Sequence, residues 1–166
     1  MNYSQLRTLL RIIIALLVLL LVWVWRKDAN AIADENDLAN LPYRDICDKY
    51  QEEYGISSNM MQALIIVESS NDTSAKNGNC IGLCQINANI HKDMISELGY
   101  TQDDMWLAEP NINVAFELVS RLSEIYGDAY CTINAYGGFK DPYQDTKYAD
   151  KIFDLTREIE IARYGN

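Results

Sequence analysis

Residues 57–70, SSNMMQALIIVESS, decide the fold class of this 166-residue chain. Apolar residues occupy most positions around the helical turns, a pattern typical of a helix that is buried on nearly all sides. Serine is a preferred N-cap, so Ser57 or Ser58 is expected to begin a central helix here. Glu68 lies at its C-terminal end, where burial and the negative end of the helix dipole both disfavour the charged carboxylate.

Helical patterns continue on both sides of this segment. A helix is predicted from Pro42 to Gly55, because proline suits a first turn and glycine a helix end. No convincing alternating strand appears, so the predicted fold class is mainly α, a compact helical bundle around the central helix. Downstream we predict a short helix or turn over 82–88, a helix over 89–98, a short helix opened by Thr101 and Asp104, and helices over 110–126, 128–136 and 146–164.

An N-terminal apolar run predicts export. Residues 12–25 are uninterrupted apolar residues with basic residues on both sides, so residues 1–27 read as a signal peptide or a membrane anchor. Trp23 and Trp25 favour a retained anchor, while small residues over 29–33 offer a cleavage site. The polar, acidic residues 28–41 read as a linker, and residues 42–166 as one domain. Either reading places that domain outside the cytoplasm.

The charge of the exported part excludes one class of partner. The chain carries a formal net charge of −10. Residues 34–166 hold ten basic and 23 acidic residues, which gives this part −13. A surface of that sign repels polyanions, so nucleic acid is not an expected partner.

Four cysteines in an exported chain predict disulfides rather than a metal site. We favour Cys80 with Cys84 and Cys47 with Cys131 among the three possible connectivities. Zinc is disfavoured because paired C-x-x-C spacing is missing and the chain has a single histidine, His91. The sequence therefore predicts no metal and no cofactor.

Four short motifs follow one another in an order that resembles a known family. Each is weak alone, but together and with consistent gaps they resemble the lytic transglycosylase (SLT) domain of the goose-lysozyme-like superfamily. The resemblance covers residues 46–159 and implies a lysozyme-like helical domain. The motifs are Glu68-Ser69, Gly82-Leu83-Cys84-Gln85-Ile86, Pro110-Asn111-Ile112 and Ala135-Tyr136.

The resemblance implies a role for residues in each motif. Glu68 is implied as the sole catalytic acid and base, beside Ser69. Gln85 is implied as a substrate contact, which would explain a glutamine in an apolar setting, where its burial is costly unless something binds it. Asn111 and Tyr136 are implied as further substrate-binding residues, with the tyrosine holding the catalytic carboxyl or the acetamido group of a sugar.

Some residues lie outside the family pattern or have no assigned role. Cys84 stands where the family has methionine, and Gly137 stands where it has asparagine. Gly82 is implied as a point of close backbone approach. Tyr130, Tyr143 and Tyr148 are candidates either for stacking against sugars or for ordinary packing.

The implied activity is non-hydrolytic cleavage of the β-1,4 bond between N-acetylmuramic acid and N-acetylglucosamine in peptidoglycan, giving 1,6-anhydromuropeptides. One alternative is a hydrolytic muramidase, in which Asp72 or Asp93 would position a water. Another is a catalytically silent, membrane-tethered module that binds peptidoglycan. The expected location is the cell wall side of the membrane, where a small enzyme of this kind suits a trans-envelope secretion, conjugation or phage apparatus.

Overall fold

The computed structural model describes residues 38–165. The predicted membrane segment at 1–27 and most of the predicted linker at 28–41 lie outside these residues. Within the described range, no helix is both long and apolar enough to cross a membrane.

The described part of the chain is mainly helical, as predicted. Its α-helices are α1 (Arg44–Tyr54), α2 (Ser58–Ser69), α3 (Lys92–Glu97), α4 (Ala108–Tyr126), α5 (Ala129–Tyr136) and α6 (Lys147–Tyr164), with a 3-10 helix at Asp103–Trp106. Three antiparallel strands, β1 (Lys76–Asn77), β2 (Cys80–Ile81) and β3 (Ile86–Asn87), form a small sheet in the order β1-β2-β3.

Helix α2 is the centre of the domain, as its apolar periphery predicts. Its N-cap is Ser57, whose hydroxyl accepts a hydrogen bond from the Met60 amide. Every residue from Ser58 to Ile65 is buried. The helix packs against α6 on one side and α1 on another, and α1 and α5 each pack against α4.

Most predicted helix ends match the structure. Asp128 and Thr146 cap α5 and α6 with their side chains, and Gly55 ends α1 in the left-handed conformation. Helix α4 begins at Ala108, two residues before Pro110, because a first turn has no use for the amide hydrogen that proline lacks. Helix α3 begins three residues later than predicted, because the amides of Ile90 and His91 turn back to the Asn87 carbonyl.

The small sheet is not predicted by the sequence. Each strand contains two residues, which is too short for an alternating apolar pattern to be visible. Ile81 pairs with Ile86 across the turn between β2 and β3. The sheet therefore shapes the predicted turn over 82–88 that carries the Gly82–Gln85 motif.

A polar cluster joins α1, α2 and α6. The Arg163 guanidinium contacts both carboxylate oxygens of Asp48, and its Nη1 also donates to Asn59. The Ser58 hydroxyl donates to the same carboxylate at 2.5 Å. Burial alone would raise the pKa of Asp48, but these hydrogen bonds outweigh burial and lower it.

The predicted disulfides are not present among the described residues. All four cysteines are free thiols. Cys84 is fully buried whereas Cys80 is only half-buried on β2, so the two side chains lie at different depths. Cys47 lies in the core face of α1, whereas Cys131 lies in the first turn of α5 beside Asp128. Burial raises the pKa of Cys47 to about 12, as expected for an unreactive core thiol.

The packing of α6 against α2 is tested by two matched substitutions. Ile152 on α6 is 0% exposed, and Ile152→Ala is expected to reduce the free energy of unfolding by about 2–5 kcal/mol. Ile125 on α4 is 70% exposed, so Ile125→Ala is expected to change it by less than about 0.5 kcal/mol. Urea denaturation of both variants measures the difference, and equal losses would contradict this assignment of the core.

Candidate active site

Glu68 is held in a half-buried position by a tyrosine from another helix. The carboxyl lies in the last turn of α2, and the Tyr148 hydroxyl on α6 donates a hydrogen bond of 2.5 Å to its Oε1. Burial raises the pKa of Glu68, while this hydrogen bond acts in the opposite direction. The net effect is a raised pKa, so the carboxyl keeps its proton to a higher pH than an ordinary glutamate.

Tyr148 reaches Glu68 because α6 begins where it does. The Thr146 hydroxyl caps the helix, so Tyr148 falls in its first turn, on the side that packs against α2. Burial and the negative charge of Glu68 raise the pKa of the phenol, which therefore stays a hydrogen-bond donor. The sequence offered Tyr148 only as a stacking or packing residue, and its contact with the carboxyl depends on helix packing.

Asn111 clamps three backbone groups. Its Nδ2 donates to the carbonyls of Ile81, at 3.0 Å, and Met105, at 2.8 Å. Its Oδ1 accepts from the Cys84 amide at 2.8 Å. The residue is 0% exposed and its two donors and its acceptor all have partners, so it supports the β2–β3 turn and does not itself face a ligand.

Gly82 permits this clamp. It has φ of 75°, a conformation that favours glycine. A Cβ here would overlap the side-chain amide of Asn111 and the carbonyl of Met105. Within the described residues, the groups that approach Gly82 closely are therefore the Asn111 side chain and the Met105 carbonyl, and an approach to a sugar stays a prediction.

Tyr136 supports the same turn from α5. Its hydroxyl donates to the Cys84 carbonyl at 2.7 Å, so both backbone polar groups of Cys84 are held by side chains. Burial raises the pKa of Tyr136, and the charge of Glu68 adds to that shift. The tyrosine thus lies within electrostatic reach of the carboxyl, but its hydrogen bond goes to the turn.

Gln85 ends the turn in a strained conformation. Its φ is 50°, in the left-handed region. The Nε2 atom donates to the carbonyls of Ala75, at 3.1 Å, and Gly82, at 2.9 Å. No hydrogen bond from residues 38–165 reaches its Oε1, so this oxygen remains available to a ligand. Ser69, in contrast, donates its hydroxyl back to the Ile65 carbonyl at 3.1 Å.

The residues considered for a hydrolytic mechanism do not join this cluster. Asp72 is exposed and accepts hydrogen bonds from the Ser74 amide and hydroxyl, which lower its pKa. Asp93 is exposed in the first turn of α3. Burial and Tyr148 account for the shifted pKa of Glu68, and no second carboxylate among residues 38–165 contributes. Across residues 38–165, no cluster of three acidic, histidine or cysteine side chains is arranged to bind a metal ion.

Comparisons with known proteins identify the family of the chain. The model of the transglycosylase SLT domain family matches residues 45–154. Protein IpgF of Shigella flexneri is 30% identical over 135 residues, which cover 75% of this chain and 86% of the relative. Protein IpgF of Shigella sonnei is 30% identical over 138 residues, which cover 75% of this chain and 88% of that relative. The chain therefore belongs to the transglycosylase SLT domain family, a family of lytic transglycosylases that act on peptidoglycan.

Proposed function

We propose that this protein cleaves the β-1,4 bond between N-acetylmuramic acid and N-acetylglucosamine without water, with Glu68 as the only acid and base. The observation that carries the proposal is the environment of Glu68: a half-buried carboxyl with a raised pKa that is oriented by Tyr148. A general acid needs a proton at working pH and a fixed direction in which to deliver it.

The proposed reaction uses the same carboxyl twice. Glu68 first donates its proton to the glycosidic oxygen, the bond from C1 to that oxygen breaks, and N-acetylglucosamine leaves with a free hydroxyl. The 2-acetamido group of the muramic acid supports the positive charge at C1. The Glu68 carboxylate then takes the proton of the C6 hydroxyl as its oxygen attacks C1, which closes a 1,6-anhydro ring and restores the acid.

The lack of a second carboxylate acting on Glu68 within the described part of the chain favours this scheme over hydrolysis. Glycosidases generally place two carboxyl groups on either side of the bond that is cleaved. Within the described residues, no carboxylate contributes to the shifted pKa of Glu68. An intramolecular hydroxyl as nucleophile removes the need for a second carboxylate to activate water.

The turn over Gly82–Gln85 is the proposed sugar-binding surface. It is held rigidly by Asn111 and Tyr136, and Gln85 offers a side-chain oxygen that no described residue occupies. A rigid site can bind a sugar without the entropic cost of ordering a loop. Because peptidoglycan is the substrate, we place the domain outside the cytoplasm, retained at the membrane or released according to the fate of residues 1–27.

Mass spectrometry of the products tests the reaction. Purified protein is incubated with isolated peptidoglycan, and the expected muropeptides carry 1,6-anhydro ends, lighter by one water than reducing-end products. Glu68→Gln is expected to reduce product release about a thousandfold, because general acid catalysis is lost. Glu124→Gln, at an exposed position on α4, is the matched control and is expected to retain activity.

Two other results would each contradict the proposal. Products with reducing ends would identify a hydrolytic muramidase. Binding to peptidoglycan without release of fragments, unchanged by Glu68→Gln, would identify a catalytically silent binding module.

The raised pKa of Glu68 also predicts a pH-dependent cost in stability. The unfolded chain releases this proton at the ordinary glutamate pKa, about 4.3, whereas the folded protein holds it to higher pH. The contribution of Glu68 to folding stability is therefore fully present below the pKa of the unfolded chain. It is lost as the pH rises through the higher pKa of Glu68 in the folded protein. Glu68→Gln is expected to raise the melting temperature more at about pH 8 than at about pH 4. Thermal melts across this range measure the gain, and a constant gain would contradict the raised pKa.

A further inference from the structure

Gly137 is a departure from the family pattern that the proposed function leaves unexplained. It follows α5 directly, with φ of −67° and ψ of −1°. These angles are accessible to any residue, so the backbone does not require glycine here. The neighbouring Gly138 has φ of 75° and makes the left-handed turn after the helix. A helix end alone therefore does not account for Gly137.

The space above Gly137 is filled by two aromatic rings. A Cβ on Gly137 would lie 2.8 Å from Cε1 and 3.0 Å from Cδ1 of Tyr148, and 2.9 Å from Cε2 of Phe139. Distances below 3.0 Å between nonbonded carbon atoms are strongly repulsive. The two rings pack on each other, with centroids 5.8 Å apart and planes inclined by 42°. Any side chain at position 137 must therefore displace one ring.

One of these two rings belongs to Tyr148, which binds the Glu68 carboxyl. Tyr148 is anchored in the first turn of α6, next to the fully buried Ala149, so its backbone has little freedom to adjust. Its hydroxyl lies 2.5 Å from Glu68 Oε1, and a small rotation of the ring lengthens that hydrogen bond. The clearance at Gly137 is thus a condition for the contact between Tyr148 and Glu68.

We propose that Gly137 is a positioning residue: by leaving room for the Tyr148 ring, it lets the phenol orient the Glu68 carboxyl. The inference rests on the proposed function only in taking Glu68 as the acid. It assigns a purpose to the glycine that stands where the family pattern has asparagine. The same clearance couples position 137 to the proton affinity of Glu68, although the two residues lie on different elements.

The neighbours of Glu68 make this coupling measurable. The other titratable groups within electrostatic reach of Glu68 are the phenol of Tyr136 and the thiols of Cys80 and Cys84, and all three have raised pKa values. They stay neutral where a glutamate titrates. The hydrogen bond from Tyr148 is therefore the interaction near Glu68 that changes when the ring moves.

The test is a double-mutant cycle on the full-length chain purified in detergent. Four proteins are compared: wild type, Gly137→Ala, Tyr148→Phe and the double variant. The pKa of Glu68 is followed by carbon-13 NMR of its labelled carboxyl. Each single variant is expected to raise this pKa, because a donor to the carboxylate is lost, and the double variant is expected to match Tyr148→Phe alone.

Activity gives a second measurement in the same cycle. In Gly137→Ala, the decline of kcat at high pH is expected to move to higher pH, because the pKa of the acid is raised. The value of kcat is expected to fall about tenfold, because the acid is less well oriented. If Gly137 had a purely structural role, Gly137→Ala would lower thermal stability but would leave the pH profile of kcat and the pKa of Glu68 unchanged. Thermal melts of each variant separate these two cases.

A relief variant keeps the test decisive if Gly137→Ala is poorly stable. Removing the second ring in Gly137→Ala/Phe139→Ala opens space into which the new methyl group can shift without displacing the Tyr148 ring. The titration of Glu68 is expected to return towards that of wild type. An unchanged defect, a wild-type titration in Gly137→Ala, or additive effects in the cycle would each overturn the proposal.

The outcomes separate this inference from the proposed function. The titration needs no substrate. A non-additive cycle in a protein that does not cleave peptidoglycan would support the role of Gly137 and reject the proposed reaction. An active enzyme with an additive cycle would do the reverse.

Discussion

The buried side chain of Asn111 is the constraint on which the candidate site depends. It holds the carbonyl before Gly82, the amide of Cys84 and the carbonyl of Met105, three groups from two separate segments. Such groups are costly to bury without partners, so the amide fixes the turn and satisfies it at once. Because Gly82 has no Cβ, the Asn111 side-chain amide fits against it, and the Tyr136 hydroxyl donates to the Cys84 carbonyl. The turn between the two-residue strands β2 and β3 is therefore held rigidly.

Two opposing effects set the pKa of Glu68. Burial raises its pKa, while the hydrogen bond from Tyr148 lowers it without removing the net shift. Burial alone would give a carboxyl that holds its proton but points in no fixed direction. The phenol fixes the direction and moderates the proton affinity, as the proposed double role of Glu68 as acid and base requires. The packing of α6 on α2 sets this balance, and Gly137 supplies the clearance.

The sequence predicted the helical fold and a carboxyl with a raised pKa at the end of α2, because both follow from local patterns. The apolar periphery of α2 and the caps of α5 and α6 are set by neighbouring residues. The roles of Asn111 and Tyr136 could not be predicted, because a polar side chain binds backbone or ligand according to tertiary approach. Tyr148 is one of 11 tyrosines, and nothing in its local sequence indicates its partner. Cysteine number likewise gives no information about the depth at which each thiol lies.

We propose that the Glu68 side chain and the turn held by Asn111 face one bound glycan. A crystal structure of Glu68→Gln with a muramic acid–glucosamine oligosaccharide tests it most directly. We expect the sugar to contact Gln85 and the glycosidic oxygen to lie within hydrogen-bond distance of the side chain at position 68. An oligosaccharide bound elsewhere, with this oxygen out of reach of position 68, would contradict it.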